Sequence, residues 1–184
     1  MKAPYLLCFI VMLSCLMLTG RAAAQGNSYE PRTEAAEGTQ LVAVYLGADW
    51  CGPCHLPKNK QAVKKMKTVF SEIADEHSWS FKAVGLALDW SIEDGYEFLQ
   101  ENGAFDEVIL GDNWRNLGVE TYIWSADEVQ AAIPQVVVYK QEVNQTESGI
   151  EFGERDNVKR FSMEELRDWL EAGASWNSLS AIDN

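Results

Sequence analysis

Runs of apolar residues alternate with amphipathic stretches along most of the chain. A continuous apolar run, typical of a strand buried inside a sheet, occurs at 41–46, and further strands are predicted at 81–89, 105–111, 132–139 and 158–161. Apolar positions spaced by three and four, typical of helices with one buried face, occur at 56–77, 92–102 and 163–172, and 113–124 is predicted to be a short helix or a turn. The polar, turn-rich stretch 140–157 predicts a hairpin with an extended loop. This order of elements predicts an α/β fold in which helices flank both faces of a mixed central sheet.

Capping residues and inward stripes support the helices. Ser91 and Gly103 bound the second helix, and Ser162 with Glu165 forms a capping box before the last one. The inward positions are Val63, Met66, Phe70, Ile73, Ala74 and His77 in the first helix, Ile92, Tyr96 and Leu99 in the second, and Met163, Leu166, Trp169 and Leu170 in the last. The lysines that fall mainly on the other faces of the first helix, and predict a solvated basic surface, are Lys58, Lys60, Lys64, Lys65 and Lys67.

The first 24 residues have the pattern of a secretory signal peptide. Lys2 precedes an apolar run over 5–18 that is short for a bilayer span, and Ala22-Ala23-Ala24 offers a cleavage site. We therefore expect an exported protein, periplasmic or secreted. An uncleaved leader that anchors the chain in a membrane is the alternative.

The charge balance narrows the class of partner. The formal net charge of the 184-residue chain is −13, and loss of the leader would take it to about −15. Such acidity argues against binding to nucleic acid or to anionic membrane surfaces. The remaining length of about 160 residues suits one packed domain, and the sequence has no internal repeat.

The candidate chemistry lies in a pair of cysteines. Without the leader, Cys51 and Cys54 are the only two, so the sequence predicts no framework of structural disulfides. They stand between the strand 41–46 and the helix 56–77, which places the first thiol at a helix N-terminus where a thiolate is stabilised. Such a pair can attack a disulfide and then resolve the mixed disulfide internally. A zinc site needs about four ligands, and the chain has only two histidines to add.

Two motifs together carry a resemblance to a known family. The run Trp50-Cys51-Gly52-Pro53-Cys54 resembles the thioredoxin active site, and Ile133-Pro134 at the start of an apolar strand resembles the family's cis-proline strand. The helix–strand–helix segment between them is similar to an insertion in TlpA-like and ResA-like exported thioredoxins. The resemblance implies a thioredoxin fold over 39–176, after a flexible lead-in at 25–38 and before a frayed C-terminus at 177–184.

The resemblance also implies a role for each motif residue. Cys51 would be the nucleophile and Cys54 the buried resolving thiol. Trp50 would shield the motif, while Gly52 and Pro53 would permit the tight turn and, in the family, go with a reducing couple. No cofactor and no metal are implied.

Pro134 and Ile133 would form the client-binding side of the site. The resemblance implies a cis peptide bond before Pro134, which is a minority state kept where a fold requires it. The backbone of Ile133 would then pair with the client polypeptide.

The sequence departs from the family at two buried positions. Tyr45 stands where thioredoxins have an aspartate that helps to deprotonate the resolving thiol, and Gly85 stands near the place of a companion lysine. His55, directly after the motif, is a candidate proton acceptor and supporting residue. Glu72 and Asp89 are more distant candidates, and His55 could equally be a solvent-facing residue without a role.

These observations predict an exported thiol–disulfide oxidoreductase, a monomer that reduces disulfides of exported client proteins. Its implied partners are those clients and a membrane thiol reductase that donates electrons. A disulfide oxidant or isomerase is an alternative, because the sequence does not fix the direction of exchange. A module that binds peptides or copper without turnover is another, for which His55 is the only histidine near the cysteines.

Overall fold

The computed structural model describes residues 29–31, 37–125 and 131–180. The strands of this part of the chain are β1 (Gly38–Gly47), β2 (Ser80–Ala87), β3 (Glu107–Ile109), β4 (Gln135–Thr146), β5 (Gly149–Phe152) and β6 (Asp156–Ser162). Its α-helices are α1 (Pro57–Glu76), α2 (Ile92–Glu101), α3 (Leu117–Val119), α4 (Met163–Glu171) and α5 (Trp176–Ser180). The remaining helical turns are 3₁₀ turns at Gly52–His55 and Asn113–Arg115 and a π-helical turn at Glu120–Trp124.

The strands form one mixed sheet in the order β3-β2-β1-β4-β5, and β6 also pairs with β4. β1, β2 and β3 run parallel to one another, whereas β4 is antiparallel to β1 and to both later strands. The prediction of a mixed sheet flanked by helices is confirmed, and the arrangement is compatible with a thioredoxin-like fold. The hairpin is longer than predicted, because β4 continues through Thr146 before it turns.

Helices cover both faces of the sheet. On one face Tyr45 of β1 packs against Phe98 of α2, with ring centroids 6.2 Å apart. Side chains alternate between faces along a strand, so the opposite face carries residues of the other parity. There Tyr139, which pairs with Val42, packs against Tyr122 of the π-helical turn. The two layers enclose a continuous apolar core around β1, which carries the cysteine motif at its end.

A proline divides the helix that the sequence predicts over 56–77. Leu56 has extended backbone angles, φ −61° and ψ 128°, between the 3₁₀ turn and α1. Pro57 explains the break, because proline disfavours the α conformation in the residue before it. The cysteine motif therefore occupies a separate 3₁₀ turn, and the long helix starts only at Pro57.

Burial along α1 differs from the prediction at two positions. The stripe from Val63 to Ala74 is buried as predicted, but His77 is exposed and stacks on Trp79, 4.5 Å between centroids. Lys67 does not belong to a solvated face, because its side chain is buried against α2. Its Nζ donates to the carbonyl oxygens of Asn102 and Ala104. These hydrogen bonds offset part of the cost of burying the ammonium group.

The buried face of α2 also differs from the prediction. Leu99 is buried as predicted, but Ile92 and Tyr96 are exposed, and Gly95 and Phe98 face the core. A side chain at Gly95 would place its Cβ 3.0 Å from that of Ala87, so the helix approaches the sheet at its glycine. The stripe therefore has the predicted helical spacing but is rotated by about one position.

The predicted helix caps are confirmed. Ser91 Oγ accepts from the Asp94 amide at the start of α2. Ser162 and Glu165 form the capping box of α4, in which each side chain bonds the other residue's backbone. The buried positions of α4 are the four that the sequence predicts, which are Met163, Leu166, Trp169 and Leu170.

The ends of the domain are more ordered than the sequence suggests. Tyr29, in the expected lead-in, packs edge-on against Phe81 and donates to Asp106 Oδ2 over 2.5 Å. The stretch expected to fray at 177–184 begins inside α5, where Leu179 is buried. The signal-peptide prediction, most of the lead-in and residues 181–184 lie outside the described residues.

Across the described ranges, no helix combines the length and the apolar character that a membrane span requires.

Candidate active site

Cys51 and Cys54 lie at the carboxyl end of β1 and are joined in a disulfide, with their Cα atoms 5.3 Å apart. Cys54 is fully buried, whereas 5% of Cys51 remains exposed. The Cys51 amide donates to the Ala48 carbonyl, and the Cys54 amide donates to the Cys51 carbonyl over 2.9 Å. The motif is therefore a tight turn in which the first cysteine has the only solvent contact of the pair.

The electrostatic setting of Cys51 differs from the prediction. Cys51 caps the single 3₁₀ turn, not the long helix, which begins six residues later at Pro57. The effect of a helix dipole falls off within its first turn. The N-terminal field of α1 therefore does not act directly on the Cys51 sulfur.

A chain of hydrogen bonds links the motif to α4. Asn59 is buried and donates through Nδ2 to the Pro53 carbonyl over 2.8 Å. Arg167 of α4 donates in turn to Asn59 Oδ1 over 2.5 Å. Sequence reasoning missed both residues, because nothing in the sequence shows that α4 packs beside the start of α1.

Trp50, directly before the first cysteine, is 54% exposed. Its indole Nε1 donates to the Leu88 carbonyl at the end of β2, over 2.9 Å. The same carbonyl accepts from Asn113 Nδ2 over 2.8 Å. The Leu88 carbonyl thus connects Trp50 with Asn113, in the segment that follows β3.

Asp89 holds the backbone of the same turn. Both of its carboxylate oxygens lie 3.2 Å from the Asp49 amide nitrogen, and its own carbonyl accepts from the Asn113 amide. Among the described residues it is the only buried carboxylate. Burial raises the pKa of Asp89, and the hydrogen bond from the Asp49 amide partly opposes that rise.

His55 is engaged with oxygens on two sides. Its Nε2 lies 2.5 Å from the Asp49 carbonyl oxygen, and because a carbonyl can only accept, Nε2 carries the hydrogen. Its Nδ1 lies 3.7 Å from Glu101 Oε2. Lys60 donates to the same carboxylate and lowers the pKa of Glu101. His55 thus bridges the turn of the motif to the end of α2.

The two departures from the family pattern face each other in the sheet. Tyr45 and Gly85 are partners in the β1–β2 ladder. Phe105 and Leu99 fill the space that a side chain at Gly85 would need, and the Tyr45 ring stacks on Phe105. Burial raises the pKa of Tyr45 far above its ordinary value, so the phenol stays protonated and cannot act as a base near neutral pH.

The third candidate acceptor lies far from the cysteines. Glu72 is exposed on α1, fifteen residues after Pro57, which corresponds to about 22 Å along the helix. Of the three candidates, Asp89 alone is both buried and bonded to the backbone of the motif.

The peptide bond between Ile133 and Pro134 is cis, as predicted. Gln135, the next residue, begins β4 opposite Leu46 of β1. This pairing places the Ile133–Pro134 segment at the same end of the sheet as the cysteine motif, and both residues keep part of their surface exposed.

The part of the chain that is described holds no cluster of three or more histidine, cysteine, aspartate or glutamate side chains arranged for a metal ion. No protein-family model matches the chain, and no curated protein sequence is significantly similar to it. Conclusions about function therefore depend on the chemistry and geometry of the site itself.

Proposed function

We propose that this protein is an exported thiol–disulfide oxidoreductase of the thioredoxin superfamily that reduces disulfides in client proteins. The observation that carries the proposal is the Cys51–Cys54 pair, joined at the end of a central strand, with Cys54 fully buried and 5% of Cys51 exposed. The position of Ile133–Pro134 at the same end of the sheet supports it. The segment from α2 to the π-helical turn would then be the insertion found in TlpA-like and ResA-like members.

The proposed reaction starts from the reduced pair. The Cys51 thiolate attacks one sulfur of a client disulfide, forms a mixed disulfide and expels the other client sulfur as a thiolate. The Cys54 thiolate then attacks the Cys51 sulfur, which restores the Cys51–Cys54 disulfide and releases the second client thiol. Two electrons pass from the protein to the client, and a membrane thiol reductase would return them.

Asp89 is the proposed acceptor of the Cys54 proton. The burial of Cys54 opposes its ionisation, so the resolving step needs a nearby base. A carboxylate whose pKa is raised by burial is a better base near neutral pH than an exposed one. His55 would instead hold the Asp49 backbone through its Nε2–H.

The assignment of roles is tested by trapping. Cys54→Ser protein, reduced and mixed with disulfide-containing exported proteins, should accumulate mixed disulfides, because Cys51 attacks and nothing resolves the product. Cys51→Ser protein should accumulate few or none. Equal trapping by the two variants, counted on a non-reducing gel, would contradict the assignment. Catalysed reduction of insulin by the wild type in dithiothreitol is the companion test of turnover.

A further inference from the structure

We propose that clients dock on a surface of tryptophans beside the disulfide, and that this surface selects client segments that are both basic and apolar. The inference rests on the oxidoreductase function proposed above and adds the class of client to it. The surface consists of Trp50, Trp90, Trp114 and Trp124, which we call the tryptophan rim.

Hydrogen bonds and the contact between the Trp114 and Trp124 rings place the rim around the end of β2. Trp50 bonds the Leu88 carbonyl, and Trp90 stands two residues further along the chain. Asn113 bonds the same carbonyl, which places the adjacent Trp114 beside them. Trp124 donates from Nε1 to the Trp114 carbonyl over 3.0 Å, and the two rings lie 6.0 Å apart.

Three of the four rim tryptophans are exposed, whereas Trp114 is half-buried and packs against the core. Trp90 is 67% exposed and Trp124 is 45% exposed, next to Trp50. Exposed aromatic side chains grouped in this way mark an interaction site more often than a chance arrangement. Because Trp50 immediately precedes Cys51, a polypeptide bound to the rim would present its cysteines to the reactive sulfur.

The backbone that supports the rim is strained and firmly held. Gly111, Asp112 and Asn113 have φ of 80°, 55° and 51°, a left-handed run that non-glycine residues rarely adopt. The buried side chain of Asn113 fixes it by bonding Leu88 on one side and the Trp114 amide on the other. Strain kept in place by such contacts is common where a surface must be positioned for function.

The charged side chains near the rim indicate which kind of client segment it binds. Exposed carboxylates lie near the rim tryptophans along the chain: Asp49 precedes Trp50, Glu93 and Asp94 follow Trp90, and Asp112 precedes Trp114. Arg115, bonded to Asp112, lies with its guanidinium 5.5 Å from the centre of the Trp90 ring. The rim thus already holds the Arg115 guanidinium over the Trp90 indole, with carboxylates nearby. A client segment with arginine or lysine beside a bulky apolar residue satisfies both the rings and the carboxylates.

The test compares two cyclic peptides of equal length, each closed by one disulfide. One carries arginine and phenylalanine beside its cysteines, and the other carries glutamate and serine. The fully reduced protein is mixed with each peptide, the reaction is quenched with acid, and the second-order rate constant is obtained from the peptide thiol formed. Bis(2-hydroxyethyl) disulfide, which is small and neutral, gives the reference rate for each protein variant.

The wild type should reduce the basic apolar peptide at least about tenfold faster than the acidic one, and added salt should narrow the ratio. Trp90→Ala should lower that ratio several-fold, as truncation of an aromatic contact does at interfaces. Glu93→Lys, which leaves the indoles in place, should lower it as well. Phe152→Ala is the matched control, because Phe152 on β5 is 60% exposed against 67% for Trp90, and it should change neither rate.

Three results would overturn the inference. Equal rates for the two peptides, with rapid reduction of the small disulfide, would remove the client selection and leave the proposed function intact. A loss of the ratio in Phe152→Ala would show that any exposed aromatic side chain contributes. A wild-type dimer in sedimentation velocity that becomes a monomer in Trp90→Ala would assign the rim to self-association. Failure to reduce any of the three disulfides would instead refute the proposed function.

Discussion

Replacement of Lys67 by methionine should change how the stability of the fold depends on pH. The Lys67 ammonium is buried between α1 and the end of α2, where it donates to the Asn102 and Ala104 carbonyls and lies 4.0 Å from the centre of the Phe105 ring. Burial lowers the pKa of Lys67 from 10.5 to about 8, and the positive charge of Lys64 adds to the effect. The folded chain therefore binds this proton less tightly than the unfolded chain does.

The sign and size of the effect follow from proton linkage. A lysine whose pKa is lowered by folding destabilises the fold while it is charged, and this penalty is relieved as the pH rises through about 8 toward the unfolded value. With these two pKa values, the free energy of unfolding should rise by about 2 kcal/mol between roughly pH 7 and pH 9.5 from this group alone.

Methionine removes the charge but leaves the carbonyls of buried Asn102 and exposed Ala104 without their lysine donor. The unpaired carbonyl of buried Asn102 costs about 1–3 kcal/mol, which is comparable to the charge penalty that is removed. Lys67→Met should therefore be close to the wild type in stability near neutral pH and clearly less stable near pH 9.5.

Urea unfolding of the disulfide-bonded protein across this pH range measures both differences. Lys58→Met is the matched control, since Lys58 is an exposed lysine of the same helix, and it should keep the rise seen in the wild type. If the free energy of unfolding of Lys67→Met rose by the same amount, the pH dependence would come from other groups and not from Lys67.

The remaining predictions concern the site. Asp89→Asn should slow the resolving step in stopped-flow turnover of a model disulfide, whereas His55→Ala should leave the pH profile of that step unchanged; the opposite outcome would make His55 the acceptor. Because burial raises the pKa of Asp89, the free energy of unfolding should fall as the pH rises through that pKa. Asp89→Asn should therefore be more stable than the wild type at pH 7 but not in acid. The control Asp112→Asn, at an exposed position, should show no such gain at pH 7. Pro57→Ala should join the 3₁₀ turn to α1 and stabilise the Cys51 thiolate by about 0.5 kcal/mol, which would make the potential about 10 mV more oxidising; an unchanged potential would show that the helix break has no electrostatic effect.

The sequence predicts the order of strands and helices because each has a periodicity or cap that local chemistry sets. The capping box at Ser162 and Glu165 and the buried run of β1 depend only on near neighbours. The cis bond before Pro134 was predictable from the family pattern, since the motif and the apolar strand occur together.

Features that depend on tertiary packing were not predictable in this way. Lys67 is spaced like its solvated neighbours, and only the position of α2 determines that it is buried. Arg167 and Asn59 meet because α4 packs beside α1, which the pattern of neither helix reveals. The break at Leu56 could have been found, because a residue before proline is disfavoured in a helix.

The hydrogen bond of Asp89 and the exposure of the tryptophan rim also could not be predicted from the sequence. Asp89 was a distant candidate in the sequence, and its bond to the Asp49 amide depends on the register of β1 with β2. Exposure of Trp90 contradicts the usual tendency of tryptophan to be buried, so composition alone assigns it to the core. The turn at Asp112 and Asn113 was the available signal, because these residue types tolerate left-handed backbone.

The reduction potential of the Cys51–Cys54 couple is the sharpest test of whether these cysteines reduce client disulfides. The protein is equilibrated in glutathione buffers of defined ratio, quenched, and its free thiols are counted by mass after alkylation. We expect one two-electron transition, absent in Cys54→Ser, at a potential nearer to about −270 mV than to about −120 mV, as is typical of a reductant. A pair that stays oxidised or reduced across the whole range would contradict the claim that these cysteines exchange electrons with clients, and a potential near the upper value would make the protein an oxidant.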